Sequence, residues 1–470
     1  MTSSISPAPG SPTSPPFAVT SPADMLSYIP HALGFMPEES LVVLTTSGRK
    51  LGATLRVDLP PDGSDLLVFA QGVLSFLQGD AGADGSLVVV YARQEWARGA
   101  PAPRAPMVLK LEAVLGAAGL PVGGGWFVSA GGWRDYFCMD ADCCPWPGQP
   151  LDAVVDSALN AELIFGGSAF HPSAPEAVFR EAPAVVARSG TSATTIPAVE
   201  DAQAHYAACC AGHWTDEAQF HATSAVWDAV LQDAGGFRVN VEPDLAGFLL
   251  ASVESRTIRD FLLASACAGS VTALEGATAC CLLEQSEEPD GFQERAGGRE
   301  TGLTIGASVT PWVPEVVMPG ELRTAVGAAE AALPVAICRI ASGDNRDPSR
   351  REDAGEDAAQ LYADVLAGRF TGKIDWRRVD SMTLVLGGLA SVAEGESRAA
   401  VLTMCAWFEY ARGRGSRAAV FLDAAEQAVP GYRLARLLQE LLRRGGLPAW
   451  ARIRSTAWTA EAGRTSRRAA

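Results

Sequence analysis

Four consecutive large apolar residues, Leu41-Val42-Val43-Leu44, constrain this chain more than any other stretch. A strand with one wet face alternates apolar and polar positions, so an unbroken run bounded by turn residues reads as a strand buried on both faces. Pro37-Glu38-Glu39-Ser40 turns the chain into it. Thr46-Ser47-Gly48-Arg49 then reverses the chain into residues 51–59, where Leu51, Ala53, Leu55, Val57 and Leu59 alternate with more exposed positions before Pro60-Pro61 stops them. The pair predicts a β-hairpin. A short helix over residues 24–34 precedes it, bent or ended early by Pro30 and closed by Gly34.

A doubly buried strand needs a covering layer on each side. Residues 65–78 place Leu66, Phe69, Val73, Phe76 and Leu77 on one helical stripe, and residues 107–118 form a second amphipathic helix ended by Gly119. Between them Leu87-Val88-Val89-Val90-Tyr91 is another continuous strand, and residues 126–129 and 133–137 read as two short ones. Gly123-Gly124-Gly125 reads as a flexible turn, since a phosphate loop would follow a strand and open a helix. The order β-β-α-β-α-β-β predicts an α/β N-terminal domain with a mixed sheet over residues 21–182.

After Pro150 the pattern turns helical. Helices are expected over residues 172–182, 199–211, 216–234 with Thr215 as N-cap, 243–252 with Pro243 as first residue, and 257–268. The predicted divisions are a disordered Ser/Pro-rich tail at 1–20, a helical region at 198–286, an inserted loop at 287–317, a helical C-terminal region at 318–454 and a disordered tail at 455–470. Residues 188–195 read as a linker, and residues 341–356 as a charged one. Near the end, Ala418, Leu422, Ala425 and Pro430 stand where the second helix of a tetratricopeptide repeat has a small residue, a large one, a small one and a proline. An all-α region with a tetratricopeptide-like helical hairpin follows from that spacing.

At 470 residues, 48% apolar and 19% charged, the chain can bury several cores. A net charge of -17 argues against general nucleic-acid binding, because phosphate contacts need clustered cations. Residues 411–470 reverse that sign locally, with twelve arginines, either as a basic face for an acidic partner or as a solvated helical tail. No apolar run approaches the roughly 20 residues of a membrane span. The N-terminus MTSSISPAPGSPTSPP has neither the basic nor the apolar part of an export signal. Ten cysteines in such a chain read as reduced thiols of a cytoplasmic protein.

The stretch richest in chemistry runs from Trp133 to Pro145 and holds Cys138, Asp140, Asp142, Cys143 and Cys144 at a strand-to-loop exit. Three thiolates with one imidazole would suit a tetrahedral zinc ion. His205, Cys209 and His213, spaced so that a helix would align them on one face, are candidates for the remaining ligand. The same sulfurs also admit a redox pair or plain apolar packing, and Asp140 with Asp142 admits a divalent cation. His31 is the candidate general acid or base and would need a carboxylate beside it, such as Glu38 or Asp58. Neither His-Glu-x-x-His nor Gly-x-Ser-x-Gly occurs, and His221 reads as a surface or core residue. A non-enzymatic binding or scaffold protein, docking a protein partner on its helical C-terminal region, is expected. The alternative is an enzyme using the loop around Cys138 to Cys144 by metal-assisted hydrolysis or thiol chemistry.

Three stretches resemble one known family. The first holds Ile29-Pro30-His31, Leu33-Gly34-Phe35, Ser40-Leu41-Val42-Val43-Leu44 and Arg56-Val57-Asp58-Leu59-Pro60. The second holds Trp133-Arg134, Tyr136, Cys138, Cys143-Cys144-Pro145, Gly148 and Pro150, and the third runs from Ala406-Trp407 through Pro430-Gly431-Tyr432-Arg433-Leu434-Ala435. Trp214-Thr215-Asp216 and Ile258-Arg259-Asp260 add to the likeness. Together they resemble the actinobacterial domain-of-unknown-function family numbered 4192, with Met36 standing where that pattern has histidine. The resemblance implies an actinobacterial cytosolic protein and no particular reaction, cofactor or partner.

Overall fold

The computed structural model describes residues 18–138, 140, 143–182, 195–284, 316–322, 348–443, 446–453 and 455–459. Residues 1–17 of the tail expected at 1–20, most of the linker at 188–195, nearly all of the inserted loop at 287–317 and the end of the C-terminal tail lie outside the described residues.

Helix α1 (Pro22–Leu33) begins at a reciprocal cap. Ser21 Oγ accepts the Asp24 N–H while the Asp24 carboxylate accepts the Ser21 N–H, each at 3.1 Å, with Pro22 in the first turn. Pro30 does not end this helix, which continues to Leu33 and closes on Gly34 at φ 82°. Strands β1 (Ser40–Ser47) and β2 (Lys50–Asp58) form the hairpin, followed by α2 (Leu66–Leu77), β3 (Gly85–Tyr91), α3 (Ala105–Ala117), β4 (Val122–Ser129) and β5 (Gly132–Asp135). The five strands lie in the order β2-β1-β3-β4-β5, parallel between β3 and β4 and antiparallel elsewhere, so the sheet is mixed.

Both faces of its centre are covered, which is why β1 and β3 read as unbroken apolar runs. Leu41, Val43, Val88 and Val90 pack against Ala70, Val73 and Leu77 of α2 and Met107, Leu111 and Leu115 of α3. Val42, Leu44 and Val89 pack on the other face against Met25, Leu26 and Ile29 of α1. Each such side chain contributes roughly 1.5–3 kcal/mol when fully buried. The glycines at 123–125 are not a flexible turn but part of β4. A Cβ on Gly125 would fall 2.7 Å from Val88 Cγ2 and 3.0 Å from Phe137, so glycine here permits close approach.

Short helices α4 (Asp152–Val155), α5 (Ala158–Phe165) and α6 (Ala174–Glu181) follow the sheet. The chain divides into two compact units, one combining residues 1–189 with 367–470 and the other comprising 190–366. The second unit contains α7 (Thr195–Cys209), α8 (Glu217–Gln232), α9 (Pro243–Glu254), α10 (Arg256–Ala268), α11 (Ser270–Ala279) and α12 (Pro348–Leu366). Asp216, not Thr215, occupies the N-cap of α8, because the Thr215 hydroxyl is engaged by Glu284 at 3.2 Å. From residue 348 the expected charged linker is helix α12, whose Tyr362 and Val365 are buried. Alanine, glutamate and arginine are good helix formers, so charge alone misread it.

The first unit is completed by α13 (Trp376–Ala390), α14 (Gly395–Ala411), α15 (Gly415–Ala428) and α16 (Arg433–Arg443), then a short 3-10 turn (Ala449–Arg452) whose buried Trp450 donates to Ala411 O at 2.8 Å. Among the described residues no helix is long and apolar enough to cross a membrane. A buried carboxylate joins these helices to the α/β layers. Glu409 on α14 meets Arg414 at 2.6 Å, Arg417 at 3.0 Å and Arg412 at 3.2 Å. Arg412 also pairs with Asp380 on α13, and Arg417 reaches Glu181 on α6 at 2.6 Å. Arg56 on β2 donates to Ser416 Oγ at 3.2 Å. Three arginines from the basic C-terminal stretch are therefore structural ion-pair partners, neither a solvated tail nor a docking face.

Burial alone would raise the Glu409 pKa, but Arg414, Arg417 and Arg412 outweigh it and hold the carboxyl at about 2, against an ordinary 4.5. A folded-state value below the unfolded one gives stability that is fully present above the unfolded pKa and is lost as pH falls toward the folded one. Urea unfolding should therefore show the parent losing stability between about pH 5 and pH 2 relative to Glu409→Gln. At neutral pH the variant should be less stable by about 3–5 kcal/mol, since it leaves buried arginines without their anion. Parallel pH profiles for the two proteins would refute this.

Candidate functional site

The site is the loop leaving β5. Trp133 and Gln149 exchange two backbone hydrogen bonds at 2.9 and 2.7 Å, which close the base of the loop that follows β5. Gly132, at φ 139°, permits that closure: a Cβ there would lie 2.5 Å from Gln149 O. Within the loop, Asp135 Oδ1 accepts the N–H groups of Phe137 and Cys138 at 2.8 and 2.9 Å, and the Cys144 N–H donates to Asp140 O at 2.8 Å. Tyr136 turns inward and donates its hydroxyl to Pro103 O at 2.6 Å.

These constraints bring Cys138, Cys143 and Cys144 together, with all three Sγ atoms within 4.8 Å of one another. Cys144 is buried, Cys138 half-buried and Cys143 exposed, so the cluster has one side toward solvent. The Cys143 thiol is held above its ordinary pKa, first by its hydrogen bond to Cys138 and then by the charge Cys138 would carry. Cys144 is pushed up to about 11, first by burial and then by the Cys138 hydrogen bond. Crowded sulfurs resist sharing negative charge unless a cation is present.

Beside them lies a residue that sequence reading missed. Arg134 is 1% exposed, with its guanidinium carbon 3.7 Å from the Trp146 ring centroid and 4.7 Å from that of Trp96. Nη2 donates to Cys138 O at 3.3 Å, while Nε and Nη1 have no hydrogen-bond partner among the described residues. The signal lay in an arginine next to Trp133 and two positions before Tyr136, but its burial depends on Trp96 from another part of the chain.

His31 does not join this group. Nε2 donates to Asn160 Oδ1 at 2.8 Å, Nδ1 meets Ser168 Oγ at 2.9 Å, and the ring packs edge-on against Phe170. The suggested carboxylates are engaged elsewhere, Glu38 with Arg93 and Asp58 with Arg56. Bonded at both nitrogens to neutral groups on the segment from α5 to Phe170, His31 ties α1 to that segment. Asp140 offers its carbonyl to the loop, and Asp142 lies outside the described residues.

The expected line of His205, Cys209 and His213 does not form either. Helix α7 ends at Cys209, so only His205 and Cys209 share it, with Cys209 Sγ 3.8 Å from His205 Nε2. His213 lies in the turn beyond and pairs with Asp216 at 2.8 Å. These residues belong to the other unit, and among the described residues the three sulfurs of the β5 loop are the one set of metal-ligating groups that converges. His221 lines a hollow with Ser224, Asp228 and Ser270 of ≈ 20 Å³, room for about one water.

The family model described as Domain of unknown function (DUF4192) matches residues 22–283 and 307–449, and the chain belongs to that family. A search of curated proteins and a search of solved structures each gave no match.

The hydrogen bonds of His31 make a direct prediction. His31→Ala should lower unfolding stability by about 1–3 kcal/mol, because Asn160 Oδ1 loses its donor in a buried site. Denaturant unfolding measures it, and an unchanged midpoint would show that these bonds hold nothing together.

Proposed function

We propose that this chain is a non-enzymatic binding or scaffold protein of the cytoplasm. The observation that carries this reading is an apolar outcrop on two consecutive short helices. Phe165 at the end of α5 is 95% exposed, with Ile164 at 55% and Val155 of α4 at 61%. Single exposed apolar residues need no explanation, but three large ones within eleven positions mark an interaction surface.

The helical C-terminal region offers a separate candidate surface. Ala418, Leu422 and Ala425 are fully buried on α15, which supports a tetratricopeptide-like pairing of α14 with α15. Outside that pair, α16 leaves Leu437 exposed between the exposed Arg433 and Arg436 and the C-terminal end of the helix. The β-β-α-β-α-β-β layer serves in this reading as the rigid support. The net charge of -17 favours a protein partner over nucleic acid, and the nine described cysteines, all free thiols, favour a reducing compartment.

Affinity capture from cells expressing the tagged full-length chain tests the proposal. A protein partner held by the parent should be lost from Ile164→Asp/Phe165→Asp while the melting temperature of the variant is unchanged. A parent that is recovered as a clean monomer, or a partner retained equally by the variant, would contradict it.

A further inference from the structure

We propose that Cys138, Cys143 and Cys144 form a three-thiolate binding site for zinc, independent of the protein-docking surface. Two separate observations lead there. One is the gathering of three sulfurs within 4.8 Å by a loop whose base and interior are fixed by backbone hydrogen bonds. At zinc–sulfur distances of about 2.3 Å, ligand sulfurs lie a little under 4 Å apart, so small side-chain rotations close the site.

The other is Arg134. Taking a cation out of water carries a large desolvation cost. Contacts with two indole rings and one charge-assisted hydrogen bond to Cys138 O return only part of that cost. That leaves Nε and Nη1 buried and unsatisfied, with no carboxylate paired to the guanidinium among the described residues. Three thiolates around one dication carry one net negative charge. They would place the missing counter-charge next to Arg134, whose Nη2 already holds the carbonyl of the ligand Cys138. Neutral thiols packed as apolar groups would leave the buried cation uncompensated.

The half-exposed character of the cluster fits a cation that enters from solvent. Cys143 is exposed, so the fourth position is open to water. On binding, three S–H protons are released to solvent and three S–Zn bonds form, with no change in oxidation state.

The test uses the full chain, reduced and stripped with a chelator. Zinc titration followed by desalting and elemental analysis should give one ion per chain, and cobalt(II) should produce thiolate-to-metal charge-transfer absorption. Cys143→Ser changes an exposed side chain and should keep the parent's metal-free melting curve. Loss of an outer partner of a metal ligand costs about 10–100-fold in affinity, so loss of a ligand should cost more than about 100-fold. Cys138→Ser is a second variant with the same expectation, and His205→Ala/Cys209→Ser should leave binding unchanged. A parent that retains no zinc overturns the proposal. So does zinc retained with parental affinity by Cys143→Ser or Cys138→Ser, or zinc lost from the His205/Cys209 variant. Loss of partner capture in the Phe165 variant with zinc binding intact would separate the two readings.

Discussion

The rest of the first unit depends on the burial of both faces of β1. That strand is hydrogen-bonded to β2 on one side and β3 on the other, while Leu41 and Val43 fill one core and Val42 and Leu44 the opposite one. A one-residue slip would exchange the two sets of side chains between cores of different shape, so the register is fixed. Strand β4 is positioned by β3, and β5 by β4. The thiol-bearing loop is therefore attached to the most constrained part of the molecule by a chain of backbone pairings, and this is what holds three sulfurs at close range.

Buried charge is handled in two contrasting ways. Around Glu409, three arginines face three carboxylates once Asp380 and Glu181 are included, and the network ties α6, α13, α14 and α15 together. In that network every arginine has a carboxylate partner, although Asp380 Oδ2, Arg412 Nε and Arg414 Nε make no hydrogen bond among the described residues, and its role is architectural. Around Arg134 the chain supplies two aromatic faces and one carbonyl but no paired carboxylate among the described residues. That imbalance, placed beside a cluster of thiols, is the observation on which the proposed zinc site rests.

Local features of the sequence were legible to the extent that their causes were local. The run at Leu41–Leu44 and the helix ends at Gly34 and Pro243 follow from residue type and spacing, and the structure has each of them; the alternation expected in β2 does not appear, because Thr54 is fully buried beside Leu55 and Leu51 packs in the core opposite to that of Leu55 and Val57. The three sulfurs were legible because they lie within seven residues. What could not be read depends on partners distant in sequence. His31 finds Asn160 and Ser168 about 130 positions later, and Arg134 is enclosed by Trp96. The role of the C-terminal arginines was hidden because Glu181, one of their partners, lies over two hundred residues upstream. Gly123 to Gly125 looked like a turn by composition, and only the closeness of Val88 and Phe137 explains glycine inside a strand.

Amide hydrogen exchange with and without zinc tests the central claim most directly, because one experiment reports both the frame and the site. The slowest amides should be those of β1 and β3 in either condition, with zinc adding protection confined to the loop that carries Cys138 and Cys144. Fast exchange in β1, or a zinc effect that leaves this loop unprotected and appears elsewhere, would contradict it.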